Sequence, residues 1–505
     1  MTGESLRTIV IVGGGTAGWM TAAALGRFLK DSYCKVILIE SEQIGTVGVG
    51  EATIPQILVY NRSLGIDEDD FLKSTQGTFK LGIEFVNWGR QGDSYLHAFG
   101  EVGRNMESLP FYHFWYKYHA LQQAGPLGRY TLNTLAAEQN KFMRSVDAGD
   151  SPLSNIAYAY QFDATAYAAY LRKYAEHCGV ERIEGKVEHT RLTLDNGHIA
   201  AVGLEGGREI EGDFFIDCSG FRGLLIDKAM NVGFEDWSHW LPCNRAWTAP
   251  SKRLDPLPPY TRATAHGAGW QWRIPLQHRT GNGHVFAADF ISEDRARSTL
   301  LEHMDGEPLR DPRMLKFTTG KRKVFWERNC LAIGLSAGFL EPLESTSIHL
   351  AQSAIARFMS LFPRREMSAP DIAVFNKQSH FEYDRIRDFI IMHYHVTERD
   401  DTEFWRYCRS MAIPDSLAQK LDQYRINGQI HRESQELFNE TSWLEVFVGQ
   451  RLLPKGYHPL VDVHQPGEIK RRLDHIEKVI ASAAEVMPDH ARFIAEHCRA
   501  ERVDV

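Results

Sequence analysis

Three stretches of this chain carry side chains whose type and spacing could do chemistry. The first is Gly13-Gly14-Gly15-Thr16-Ala17-Gly18, which follows the apolar run Thr8-Ile9-Val10-Ile11-Val12. Glycines in the spacing Gly-x-Gly-x-x-Gly allow a tight turn and a close backbone approach. Where such a turn opens a helix, its N–H groups point at a pyrophosphate. The second is Lys80, set among Phe79, Leu81, Ile83 and Phe85. Apolar flanks imply burial, and burial favours the neutral, nucleophilic amine. A lone lysine is more often a solvated surface charge. The third is Glu341-Pro342-Leu343-Glu344-Ser345-Thr346-Ser347, which leads into the apolar helical pattern Ile348, Ala351, Ala354 and Ile355. Ser345 is expected to cap that helix, whose N-terminus then offers N–H groups and a dipole to an anion.

Elements must position these groups. Residues 7–12 and 35–40 read as parallel strands around a helix over 17–29, a βαβ unit. Glu40 ends the second strand, somewhat beyond the usual spacing for a ribose-binding acid. A helix is expected over 158–176, a hairpin or meander over 185–194 and 198–204, and strands at 214–217 and 330–334. Antiparallel strands are expected over 260–295. After about residue 365 the pattern turns helical, with Ile469, Leu473, Ile476, Ile480 and Ala483 on one face. The expected architecture is α/β: a Rossmann-type dinucleotide-binding lobe with mixed sheets over 1–365, and a mostly helical lobe over 366–505 covering the substrate side.

The 505 residues exceed one simple core. A net charge of -8 gives no electrostatic reason to expect nucleic acid. The seven cysteines form no Cys-x-x-Cys pair, which predicts reduced thiols and no metal site. No apolar window is long enough for a membrane span. The expectation is a cytoplasmic protein, monomeric or homodimeric.

Gly269-Trp270-Gln271-Trp272-Arg273-Ile274-Pro275 resembles the Gly-Trp-x-Trp-x-Ile-Pro signature of flavin-dependent tryptophan halogenases. Gly45 to Pro55 resembles their flavin-covering strap, Phe79 to Phe85 their lysine segment, Tyr95 to Gly100 their substrate-stacking strand, and Glu341 to Thr346 their halide and glutamate segment. Asp217-Cys218-Ser219-Gly220 and Ile333 to Gly338 resemble FAD-contact segments of glutathione-reductase-type flavoproteins. The resemblance implies an enzyme using FAD as FADH2, oxygen and a halide. Only one glycine fingerprint is evident, so a separate NAD(P)H-dependent flavin reductase is the expected partner.

The same resemblance implies roles. Lys80 would receive hypohalous acid, either as a haloamine or through a hydrogen bond. Glu344 would sit near it, stabilise the cationic ring intermediate and accept the ring proton. Flavin contacts are expected from Gly13, Gly15, Thr16, Ala17, Gly18, Glu40, Val47, Gly50, Ala52, Val187, Asp217, Leu335 and Ile348. Thr346 and Ser347 would hold the halide. Ser347 replaces the family's usual glycine, which leaves bromide and chloride both open. Trp270 and Trp272 would separate flavin from substrate, although two core tryptophans on one strand face would look the same. His97 and Phe99 would stack on one side of an indole and Trp443 on the other.

The amino-acid clamp of the free-tryptophan enzymes is missing. Its Tyr-Tyr pair is absent, Phe438 falls where a glutamate belongs, and Ser442 replaces a phenylalanine. An ammonium buried without its partner is costly. The expected substrate is therefore indole or an indole derivative rather than free tryptophan. The residues leave two other readings open: an aromatic hydroxylase of the same fold, and a flavoprotein without turnover.

Overall fold

The computed structural model describes residues 4–29, 33–44, 50–433 and 435–503. They form two compact units that interleave along the chain. One comprises residues 1–76, 162–239 and 316–383; the other comprises 77–161, 240–315 and 384–505. This partition differs from the contiguous division at 365. The helix Ala369–His395 itself runs from one unit into the other.

The first unit is built on a six-stranded sheet. Its centre is the strand Thr8–Val12, flanked in parallel by Lys35–Glu40 and Phe214–Asp217. Cys330–Ala332 and Glu181–Glu184 extend it in parallel, and Trp326–Glu327 closes one edge antiparallel. Ile9, Val10 and Ile11 have no exposure, as expected of strands covered on both faces. The helix Thr16–Leu29 follows the glycine turn and buries Trp19, Met20, Ala22, Ala23 and Ala24. The expected hairpin is present as Val187–Leu192 and Ile199–Leu204, with Glu209–Glu211 as a third strand.

The second unit holds the antiparallel strands Arg245–Lys252, Thr261–His266, Gly269–Pro275 and Arg279–Phe286, continued by Gly82–Val86 and Ser94–Ala98. Its C-terminal part is helical, and Ile469, Leu473, Ile480 and Ala483 are buried along one helix. The expected helix over 158–176 is corrected. Ala159–Asp163 is a strand, and the helix runs Ala164–His177. Asp163 caps it by accepting from Thr165 and Ala166 N–H groups. All seven cysteines are free thiols, and no described helix is long and apolar enough to cross a membrane.

Candidate active site

In the first unit the glycine turn has no room for side chains. A Cβ at Gly13, Gly14 or Gly18 would fall 2.3 Å from the Cys218 carbonyl oxygen, 1.6 Å from Glu40 Oε2, or 1.8 Å from the Gly13 carbonyl oxygen. The turn is thus bare backbone, and Thr16 and Ala17 begin the helix whose free N–H groups face outward from its end. These residues fit a pyrophosphate. The Glu40 carboxylate is held by its own neighbours: Trp19 Nε1 donates to it at 3.2 Å and Arg182 at 2.6 Å. Asp217 is fully buried, and its carboxylate accepts from the N–H groups of Ser219, Leu225 and Ile226 at 2.7–2.9 Å. It anchors the loop that follows its strand. Leu335 is an exposed apolar residue on the turn after Cys330–Ala332, and Val187 is half-buried. Gly50 and Ala52 form a short buried strand. Val47, with the rest of 45–49, lies outside the described residues.

The segment around Glu344 also belongs to the first unit. Glu341 and Glu344 are buried. Ser345 adopts a left-handed conformation, φ 57°, and the helix runs Ser347–Ser360 with Thr346 at its cap position. The expected Ser345 cap is therefore corrected by one residue, because the left-handed turn takes Ser345 out of line with the helix. Thr346 makes no side-chain capping bond, and its hydroxyl oxygen is buried without a hydrogen-bond partner. Bare N–H groups at Ser347 and Ile348 next to an unsatisfied hydroxyl give this helix end the character of an anion site.

Lys80 belongs to the second unit and has no exposure. It ends the three-residue strand Thr78–Lys80, which pairs antiparallel with Ala159–Gln161. So short a strand gains little from its ladder, and side chains hold it instead. Gln161 donates to Thr78 Oγ1 and to the Phe79 carbonyl at 3.2 and 3.3 Å. Thr78 donates to the Pro275 carbonyl at 2.7 Å. His490 accepts from the Phe79 N–H through Nε2 at 3.2 Å, while Nδ1 lies 3.0 Å from the Leu257 carbonyl. Both bonds require one neutral tautomer, with the proton on Nδ1. Burial pushes the imidazole down to about 4, which keeps it neutral. The Lys80 Nζ lies 5.4 Å from the centre of the Phe99 ring.

The aromatic residues expected around a substrate meet in this unit as well. His97 lies 5.8 Å from Phe389 and 6.3 Å from Phe438, centre to centre. Phe438 stacks face to face on Phe389 at 3.8 Å, and Trp443 meets the same Phe389 edge-on at 4.9 Å. Glu445, on the helix Glu440–Gly449 that carries Trp443, accepts from the Ala98 N–H at 3.0 Å. It thereby fixes the backbone between His97 and Phe99. Neither Glu445 nor His490 is legible as a site residue in the sequence, since each acts on a segment more than 340 residues away. Trp270 and Trp272 are buried on one strand, 6.1 Å apart. The Trp272 ring lies flat over Gly283 on the neighbouring strand, where a Cβ would fall 2.1 Å from it.

The tryptophan halogenase family profile matches residues 8–466. The chain belongs to that family. A tryptophan 7-halogenase from Lentzea aerocolonigenes is 33% identical over 91% of this chain and 92% of its own length. A tryptophan 6-halogenase from Streptomyces toxytricini is 35% identical over 83% of this chain and 84% of its own length. Among solved structures, a flavin-dependent halogenase from Xanthomonas campestris superposes with a TM-score of 0.96 at 43% identity, covering 99% of this chain and 100% of that one. Another from Brevundimonas gives 0.94 at 43% identity, covering 97% and 99%. The protein is a flavin-dependent halogenase, an oxidoreductase of a family that works with FAD, oxygen and halide and draws reduced flavin from a separate reductase.

Proposed function

We propose that this halogenase acts on indole or a neutral indole derivative rather than on free tryptophan, and that Lys80 delivers the halogen. The buried Lys80, its Nζ against the Phe99 ring, is the observation that carries this reading. Reduced FAD, oxygen and halide together supply hypohalous acid when the flavin site is filled. Gly13, Gly15, Thr16, Ala17 and Gly18 would hold the pyrophosphate, with Glu40, Gly50, Ala52, Val187, Asp217, Leu335 and Ile348 along the rest of the cofactor. Thr346 and Ser347 offer the helix end to bromide or chloride.

Lys80 takes the halogen from hypohalous acid, releasing water, or polarises the acid through a hydrogen bond. The arene carbon attacks the halogen as the nitrogen–halogen bond breaks. The electron pair of that bond stays on the lysine nitrogen, which takes up a proton. On the hydrogen-bonded route the oxygen–halogen bond breaks and the oxygen leaves as water. The ring carries a positive charge until a proton leaves. Glu344 accepts that proton. Trp270 and Trp272 keep bulk water and the oxidant from the arene by occupying space. His97, Phe99 and Trp443 present ring faces and edges to the substrate. Phe438 is the reason to prefer a neutral arene: it places a stacked hydrocarbon beside Phe389 where a carboxylate would receive an ammonium.

Product mass spectrometry tests this. The protein is supplied with FAD, a flavin reductase, NADH and oxygen, and offered indole or tryptophan with bromide, chloride or no halide. Expected is a halogen isotope pattern on indole that exceeds the one on tryptophan and is lost in Lys80→Ala. Turnover of tryptophan above indole would overturn the substrate reading. Hydroxylated product without halide dependence would overturn the lysine route.

A further inference from the structure

Behind Trp443 lies an ion pair that the halogenation chemistry does not use. Lys420 and Glu436 are 9% and 4% exposed, on the helix Asp415–Asn427 and in the segment ahead of Trp443. The Lys420 Nζ donates to both Glu436 oxygens at 3.0 Å and to the His431 carbonyl at 2.5 Å. The same ammonium lies 4.6 Å from the centre of the Trp443 ring. A cation this close to an indole face is held by the ring's quadrupole as well as by the carboxylate. Glu436 is fixed further: the Glu433 N–H reaches its Oε1 at 3.3 Å, and Arg432 donates to its backbone carbonyl at 2.6 Å.

Two buried charges are costly to bring out of water, and a well-packed apolar pair would serve stability as well. Their position explains their use. Two residues after Glu436, Phe438 stacks on Phe389, and Phe389 meets Trp443. The pair therefore stands directly against the aromatic cluster that also contains His97.

Building on the reading that Trp443 lines the arene site, we propose that Lys420 and Glu436 set the charge selectivity of that site. Lys420 is the cation that Trp443 and Glu436 would otherwise take from a substrate, so arenes bearing an ammonium are refused and neutral arenes are accepted. Selectivity then arises from an internal competitor as well as from a lost contact.

The test is equilibrium binding of indole, tryptamine and indole-3-acetate to the FAD-loaded protein. These three share a ring and differ in charge. Lys420→Met leaves Glu436 in need of a cation. It is expected to bind tryptamine at least tenfold tighter than the parent, with indole unchanged within twofold. Lys420→Arg, which keeps the charge, is expected not to show the gain. Glu436→Gln leaves Lys420 without its anion and is expected to bind indole-3-acetate at least tenfold tighter, again with indole unchanged. The two variants err in opposite directions, so either one decides if the other does not fold. A folded variant whose affinities for all three ligands move together, or do not move, overturns the proposal while leaving the indole reading intact. Failure of every protein to bind indole overturns both.

Discussion

His490 accepts from the Phe79 N–H across 411 positions of sequence, and its removal has a calculable cost. His490→Phe keeps a ring of similar size but neither donates nor accepts. The Phe79 N–H and the Leu257 carbonyl then lose their partners inside the core. Each buried backbone group left unsatisfied costs about 1–3 kcal/mol, so the pair costs about 4 kcal/mol. The titration of the same ring adds a pH dependence. Burial lowers it from 6.5 to about 4, while the bond to the Leu257 carbonyl acts the other way, so the shift reflects desolvation of the charged ring. The contribution is whole above pH 6.5, shrinks as the pH falls, and is gone below about 4, because the unfolded chain takes up the proton first.

Hydrogen exchange on a peptide covering residues 77–82 reads this locally. In His490→Phe, exchange there is expected to quicken by about three orders of magnitude at neutral pH. At pH 5 the parent has itself lost about 2 kcal/mol, so the gap between parent and variant narrows. Protection within threefold of the parent would refute the reasoning. A gap of equal size at both pH values would refute the part that assigns the bond to a neutral imidazole.

Other outcomes follow from single contacts. Gly18→Ala places a Cβ against the Gly13 carbonyl, which cannot rotate away, and is expected to lose FAD retention on gel filtration and to melt at lower temperature. Gly283→Ala drives a methyl into the Trp272 ring, costs about 1–3 kcal/mol, and is expected to shift the tryptophan fluorescence of the folded protein. Burial raises Glu51 from 4.5 to about 7, so the folded chain keeps a proton the unfolded chain has lost. Stability therefore falls as pH rises between those values, and Glu51→Gln is expected to melt higher than the parent at pH 8 but not at pH 4.

The sequence is informative where a local pattern and the final environment agree. The strands at Thr8–Val12, Lys35–Glu40 and Phe214–Asp217 bury the apolar residues their pattern marks, and the helix Pro466–Val486 buries Ile469, Leu473, Ile480 and Ala483 of its expected face but leaves Ile476 half-buried. Lys80 is buried as its apolar flanks imply. The strand Ala159–Asp163 was hidden because its partner, Thr78–Lys80, is some eighty residues away, and alanine and tyrosine sit as readily in a helix. The aspartate at 163 was a legible start signal for the shorter helix. The cap at Thr346 rather than Ser345 turns on one left-handed residue, which no composition rule marks in a serine. His490 and Glu445 left no trace, since a lone polar residue shows neither its burial nor the backbone group it will meet.

The interleaving of the two units has a consequence for synthesis. The unit that holds the glycine turn is incomplete until residues 162–239 and 316–383 have also been translated. The strand carrying Lys80 waits longer, because the imidazole that secures it stands at position 490. Neither unit is built from one continuous stretch, so each keeps open strand edges until its later segments join it, the period in which holding chaperones are of most use. The strand that ends in Lys80 is anchored only once a residue 411 positions beyond Phe79 has been translated.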